Sequence, residues 1–301
     1  MPVSLNDSFE LKPYTRLRAK QIDKALDNLT PSARTKPKTI HRSMRHSLFA
    51  GGKRIRPILT LAAAEACNGQ IDKAMPLACA VECIHTYSLI HDDLPALDND
   101  DFRRGKPTNH KIYGEGVAIL AGDALLTQAF EIACKAKPTS RYSTADMICE
   151  LSHTSGSLKL IAGQIADLEG EGQKPTLPKL KYIHERKTSA LLTCSTRLGG
   201  MSSNCTPLQL QALTDFGYNI GLAFQVIDDI LDVTQTSKQL GKTAGKDEAS
   251  SKSTYPAALG LKKSEKIASK LTENAFSALK PFRGKAFALE AIADYLLRRK
   301  N

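Results

Sequence analysis

The sequence predicts an all-α protein, and three observations carry that prediction. No segment shows sustained period-two alternation of apolar and polar residues between turn signals, so strands are not expected. Long Ala- and Leu-rich runs, such as Ile58 to Cys67 and residues 74 to 90, are separated by glycine, proline and asparagine. The apolar share, 42% of 301 residues, is ample for a large core. No domain boundary or short-period repeat is visible, so residues 1–301 are read as one domain.

Residues 6 to 29 carry a helical pattern interrupted by Pro13. Thr30-Pro31 ends it, because proline lacks a backbone donor and pushes the preceding residue out of helical geometry. A second helix begins near Lys38 and runs into Gly51-Gly52-Lys53-Arg54-Ile55-Arg56-Pro57, where two glycines permit a sharp turn beside a basic triad. Alone, Lys and Arg at a helix end often serve only the helix dipole or the solvated surface. Asn68-Gly69 closes the next helix, and residues 71 to 92 make another, about 30 Å long by helix rise. Further helices are expected over 116 to 136, 141 to 169, 179 to 199, 207 to 234, 254 to 279 and 284 to 300. Residues 235 to 253, with Lys242 and Lys252, are polar, basic and glycine-containing, as in a loop closing over phosphates or in a plain surface linker.

Asp92, Asp93, Asp98, Asp100 and Asp101 put five carboxylates within ten residues, and Arg103-Arg104-Gly105 follows at once. The apolar run upstream places Asp92 and Asp93 at the C-terminal end of a buried helix, where the macrodipole disfavours anions. A cation relieves that conflict. Carboxylates suit hard ions such as Mg²⁺ or Ca²⁺ and arginine suits phosphate, so the stretch points to a metal bridging carboxylates to a phosphorylated ligand. A solvated acidic loop is the plain alternative. An EF-hand is excluded, because Asp98-x-Asp100-x-Phe102 lacks the third oxygen ligand and the glycine at the sixth position. His85 lies two turns before Asp92 on nearly the same face, as a core residue or a functional one.

A second cluster, Phe224-Gln225-x-x-Asp228-Asp229-x-x-Asp232, lies in helix 207 to 234. Asp228 and Asp232 share a face among Phe224, Ile227 and Leu231; like charges at that spacing repel, and a cation is again the natural remedy. Gly163-Gln164-x-x-Asp167 places a carboxylate near another helix end, while Lys187-Thr188 in mid-helix read by themselves as a solvated edge. The two acidic clusters, about 135 positions apart, suggest facing walls of one cavity in a bundle. Several Mg²⁺ between them would hold one diphosphate, leaving Lys53, Arg56, Arg103 and Arg104 for a second anion. Metals clamping phosphate stabilise oxygens that gather charge, which suits diphosphate as a leaving group, and the apolar walls suit an apolar tail.

The net charge of +11 admits nucleic acid, anionic membrane or small polyanions. Nucleic acid is disfavoured, because the basic residues are dispersed, there is no Trp and no zinc-type Cys/His spacing occurs. Seven irregularly spaced cysteines, several in apolar helices (Cys79, Cys83, Cys134, Cys194), read as reduced core residues of a cytoplasmic protein. Met1 to Phe9 lacks the basic and apolar regions of a signal peptide, and no apolar run is read as bilayer-spanning. A soluble protein without membrane or nucleic-acid partners is expected.

Five marks together, Gly51-Gly52-Lys53-Arg54-x-Arg56-Pro57, Asp92-Asp93-x₄-Asp98 with Arg103-Arg104-Gly105, Gly163-Gln164-x-x-Asp167, Lys187-Thr188 and Phe224-Gln225-x-x-Asp228-Asp229-x-x-Asp232, carry a resemblance. Over nearly its whole length the sequence resembles the trans-isoprenyl diphosphate synthases, and most closely the bacterial type of farnesyl diphosphate synthase. Asn99 departs from the pattern, since related bacterial enzymes often carry a further Asp there. The resemblance implies a single bundle of antiparallel helices around a deep central cavity, a homodimer, and three Mg²⁺ per site, with Mn²⁺ as an alternative. It implies that Asp92, Asp98 and Asp167 hold two metals and Asp228 a third, with Asp93, Asp229 and Asp232 acting through water. Arg103, Lys187, Phe224, Gln225, Lys242 and Lys252 would serve the allylic diphosphate; Lys53, Arg56, His85 and Arg104 would bind isopentenyl diphosphate. Thr188 and Gln225 oxygens, with helix C-terminal carbonyls, would stabilise an allylic cation, and the departed diphosphate would take the final proton.

Ser88, one turn before Asp92 on the same face, is small enough to let a tail pass. Periodicity puts Tyr87 on the flank; the resemblance instead implies that an aromatic there closes the pocket at C15, giving farnesyl diphosphate. Geranyl (C10) and geranylgeranyl (C20) products are the alternatives. A His-Asp phosphohydrolase, suggested by His91-Asp92, would need further paired histidines, and His41, His46, His110, His153 and His184 are not so placed. A terpene cyclase has no use for Lys53 and Arg56, and a non-catalytic partner subunit no use for an intact Asp228 to Asp232 cluster.

Overall fold

A computed structural model describes residues 9–172, 176–234 and 254–297. Within them the regular secondary structure is helical apart from two-residue strands Phe102–Arg103 (β1) and Lys106–Pro107 (β2), paired antiparallel across Arg104-Gly105. The all-α expectation holds. Helices α1 (Leu11–Leu29), α2 (Lys38–Leu48) and α3 (Ile55–Ala66) lead to α4 (Ile71–Asp92). After the hairpin come α5 (Asn109–Tyr113), α6 (Glu115–Ala133), α7 (Thr144–Ser155), α8 (Leu160–Leu168) and α9 (Leu177–His184). A π-helical turn, Glu185–Ser189, joins α9 to α10 (Ala190–Ser202), followed by α11 (Pro207–Thr234). Beyond residue 253 lie α12 (Tyr255–Leu259), α13 (Leu261–Ala278), a 3₁₀ turn Lys280–Phe282 and α14 (Phe287–Leu297).

Helix α4 is central. It packs against α3, α6 and α10, so nearly every side is covered, and most of its buried residues are small or aliphatic, among them Ala74, Ala78, Cys79, Ala80, Val81, Cys83 and Ile84, with Glu82, Thr86 and Tyr87 the exceptions. A helix apolar all round belongs in a core. Helix α10 in turn packs on α3 and α11, and α11 on α13.

Several boundaries differ from expectation for identifiable reasons. Pro13 does not interrupt α1, since it falls in the first turn, where no intrahelical donor is needed. The expected helix 141 to 169 is two, broken at residues 156 to 159; the expected 254 to 279 is two, broken at Gly260 with φ +80°. Helix α2 stops at Leu48, short of the glycine pair. Cys134 is exposed, as is Cys149, whereas Cys67, Cys79, Cys83, Cys194 and Cys205 are buried. One helix, α6, is long and apolar enough to cross a membrane by length and composition (mean hydropathy 1.4), contrary to the sequence reading; 44% of that window is buried inside the protein, much of it along α4.

Candidate functional site

A cavity of about 480 Å³ opens among α4, α6, α8, the π-helical turn and α10. Its polar rim carries Arg56, His85, Asp92, Gln164, Lys187 and Thr188; its apolar wall carries Tyr87, Leu126, Leu160, Ile161, Ile165, Leu168 and Leu191, with Ser88 among them. Six residues singled out from the sequence beyond Asp92 therefore converge here: Arg56, His85, Tyr87, Ser88, Lys187 and Thr188.

Asp92 is the last residue of α4, half-buried, and burial pushes its carboxyl up to about 6 even though Lys187 pulls the other way. Downstream the chain folds back, with Asp98 N–H donating to the Asp92 carbonyl at 2.8 Å and Asn99 in the left-handed region. Asp98 thereby sits close enough to Asp92 to raise it further. Asp93 does something different from what was expected. It is 3% exposed, and Arg103 binds it directly: Nε lies 2.8 and 3.0 Å from its two oxygens and Nη2 2.6 Å from Oδ1. In this arrangement Arg103 braces the acidic loop rather than facing the cavity.

The basic side is built from α3 and α4. Arg56 Nη1 lies 3.1 Å from His85 Nε2. Burial, then the neighbouring Arg56, Arg104 and Arg103, hold His85 well below its ordinary value, so the neutral ring accepts from the guanidinium. Burial also draws Arg56 down to about 10. Arg104 donates to the Gly51 carbonyl. Such a desolvated cationic group is stabilised by an arriving anion. Arg54 is not part of it: it is 4% exposed and clamped by Asp23 (2.9 Å), Glu82 (2.7 Å) and the Leu48 carbonyl (2.6 Å), a structural ion pair. Lys53 faces elsewhere, its amine 5.3 Å from the Tyr295 ring centroid on the wall of a separate groove between α1 and α14.

The third wall explains two motifs. A Cβ on Gly163 would lie 2.2 Å from the Lys187 backbone nitrogen, so only glycine lets α8 press on the π-helical turn. Gln164 then lines the cavity and Asp167 meets Lys187 at 2.5 Å. A Cβ on Gly221 would lie 2.6 Å from Ser189 Cα, which lets α11 lie against the same turn. Lys187-Thr188, read from sequence as a solvated edge, are thus turned inward; Thr188 is 8% exposed. The signal missed was the π-helical turn, which no period-3.6 template reveals.

On α11, Asp228 comes near enough to His184 to share its electrostatics with Asp167 and Lys187, while burial draws His184 down to about 4. Asp229 accepts from the Tyr255 N–H at 2.8 Å. Asp232 is 4% exposed, and neither carboxylate oxygen has a hydrogen-bond partner among the described residues. Phe224 packs partly buried against the core, and Phe224, Gln225, Asp98 and Asp228 are not in the cavity lining among the described residues. Lys242 and Lys252 lie outside the described residues. Among the described residues no three carboxylate, His or Cys groups converge to hold a metal by themselves. An orphaned buried carboxylate at Asp232, a desolvated Asp92 and a lysine ammonium already seated on Asp167 nevertheless fit cations completed by ligand oxygens, the usual situation for Mg²⁺. His91 Nε2 is taken up by the Ile119 carbonyl at 3.0 Å.

A family model described as polyprenyl synthetase matches residues 37–285. The chain is 49% identical over 298 residues to a dimethylallyltranstransferase of Fischerella ambigua (strain UTEX 1903), covering 98% of this chain and 85% of the relative. It is 49% identical over 301 residues to a chloroplastic geranylgeranyl pyrophosphate synthase of Catharanthus roseus, covering 99% and 84%. A crystal structure of a putative farnesyl-diphosphate synthase from Marinomonas sp. MED121 superposes with a TM-score of 0.83 at 37% identity, covering 96% of this chain and 99% of that one. The chain belongs to the polyprenyl synthetase family, the trans-isoprenyl diphosphate synthases, and is a prenyltransferase.

Proposed function

We propose that the protein joins isopentenyl diphosphate to an allylic diphosphate with release of diphosphate, using Mg²⁺ or Mn²⁺. The observation that carries this is the meeting of two unlike charge environments at the mouth of one apolar cavity: carboxylates at Asp92 with Asp167-Lys187, and the Arg56-His85 pair. One anion site would serve a hydrolase; two serve a condensation. Asp92, Asp98, Asp167 and Asp228 would hold the metals, which supply Lewis acidity to the leaving diphosphate.

The chain's own residues then act as follows. Lys187 and Thr188 present an ammonium and a hydroxyl to the allylic end, and Arg56, with neutral His85 behind it, takes the diphosphate of the second substrate. The allylic C–O bond breaks, the isopentenyl double bond attacks the resulting cation, and the released diphosphate accepts the proton lost. The apolar wall excludes water, which would otherwise capture the cation.

The product reading favoured by the relatives is geranylgeranyl diphosphate (C20), since several bear that name at 45 to 49% identity. The farnesyl (C15) expectation is kept as a second reading on one observation, the Tyr87 side chain in the cavity wall. Product analysis with dimethylallyl and isopentenyl diphosphates decides: a C20 main product supports the first, a C15 main product the second, and no prenyl product refutes both. A homodimer is proposed on the apolar residues Ile112, Ile119 and Leu120 exposed along α5 and α6, and cytoplasmic residence on seven cysteines held as free thiols.

A further inference from the structure

We infer that His91 is the positioning residue for Tyr87, and through it a determinant of how long the product grows. The two stand one helical turn apart on α4, and their rings meet edge to face, centroids 5.8 Å apart at 76°. Both line the cavity that receives the tail. Tyr87 is 5% exposed, and its buried hydroxyl has no hydrogen-bond partner among the described residues, so no polar contact from them fixes its ring. Its orientation depends on packing, and the His91 edge is the aromatic part of that packing. A contact of this kind is worth a preference on the order of two- to ten-fold between orientations.

His91 itself is fixed from outside α4. Its Nε2 lies 3.0 Å from the Ile119 carbonyl on α6; a carbonyl only accepts, so Nε2 carries the proton. The Asp123 carboxylate lies 3.9 Å from the same nitrogen. The ring occupies the space left by Gly122: a Cβ there would come within 2.1 Å of Nε2, 2.5 Å of Cδ2 and 2.8 Å of Cε1. Helix α6 thus sets His91, and His91 sets Tyr87. Gly122 is a position from which the clasp can be disturbed without touching either ring chemically.

The inference rests on the reading that Tyr87 bounds the tail, and the variants separate the two. Products are measured with excess isopentenyl diphosphate for wild type, Tyr87→Ala, His91→Ala, Gly122→Ala, and the pairs Tyr87→Ala/His91→Ala and His91→Ala/Gly122→Ala. Tyr87→Ala is expected to lengthen the main product by one isoprene unit. His91→Ala and Gly122→Ala should each raise the longer-to-shorter product ratio on the order of two- to ten-fold. The first pair should match Tyr87→Ala alone, and Gly122→Ala should add nothing to His91→Ala, because each effect passes through the next residue. If Tyr87→Ala lengthens the product while His91→Ala and Gly122→Ala leave it unchanged, His91 does not position Tyr87. Further lengthening by His91→Ala in the Tyr87→Ala background would make His91 a wall in its own right, and overturn the inference. If Tyr87→Ala itself changes nothing, Tyr87 does not bound the tail and both fall. Gly122→Ala, which only shifts the far end of a side chain, keeps the test alive should His91→Ala fold poorly.

Discussion

In metal-free protein Asp92→Asn should stabilise the fold and abolish turnover at once, a combination few other mechanisms produce. The Asp92 carboxyl stands at the C-terminal end of α4 and burial raises it from 3.8 to about 6. The folded state therefore binds the proton more tightly than the unfolded chain. The neutral form is favourable below pH 4, and that contribution is lost as pH rises through the 4 to 6 window. Above it the buried charge costs on the order of 3 kcal/mol. Asparagine keeps the shape and removes the charge, so the gain should approach that figure at pH 7.5 and vanish near pH 4. For a chain of 301 residues this corresponds to a Tm rise of about 5 °C at pH 7.5. Urea denaturation with chelator present, at both pH values, measures it. A destabilised variant, or a gain equal at the two pH values, would refute the argument that Asp92 is a desolvated anion awaiting a cation.

Three further outcomes follow from particular contacts. Arg56→Ala should raise the KM for isopentenyl diphosphate far more than that for the allylic substrate, since the proposed site for that diphosphate is the Arg56-His85 pair; equal effects in steady-state assays would show the assignment wrong. Arg54→Met should cost about 3–5 kcal/mol in urea denaturation, because it strands Glu82, 1% exposed, without its partner. Gly199→Ala should cost about 1–3 kcal/mol, because its Cβ would meet the Thr60 carbonyl at 2.1 Å where α10 crosses α3 and neither backbone can yield cheaply.

How far the sequence could be read depended on whether the signal was local. The acidic clusters declared themselves, because like charges at helix ends conflict with the dipole and with each other, and that conflict is visible in the spacing alone. The helical class was equally legible. Lys187 and Thr188 were legible through the family resemblance but not through periodicity: their inward turn depends on a π-helical stretch and on Gly163 and Gly221 admitting neighbouring helices, which is tertiary information. Tyr87 was placed on the flank by ideal periodicity, yet it lines the cavity, because three helices converge there and leave little of α4 uncovered. The basic triad divided in a way no spacing predicts: Arg54 became a buried brace, Arg56 faced the cavity, and Lys53 turned to Tyr295. Product length is the least legible feature of all, since one or two side chains decide it while overall similarity follows the whole scaffold.

Diphosphate release with Mg²⁺ present, measured with each substrate alone and with both, tests the central claim most directly. The two-site arrangement predicts release only when isopentenyl diphosphate and an allylic diphosphate are supplied together, with an equal amount of prenyl product. Release of phosphate or diphosphate from either substrate alone at a comparable rate would contradict it.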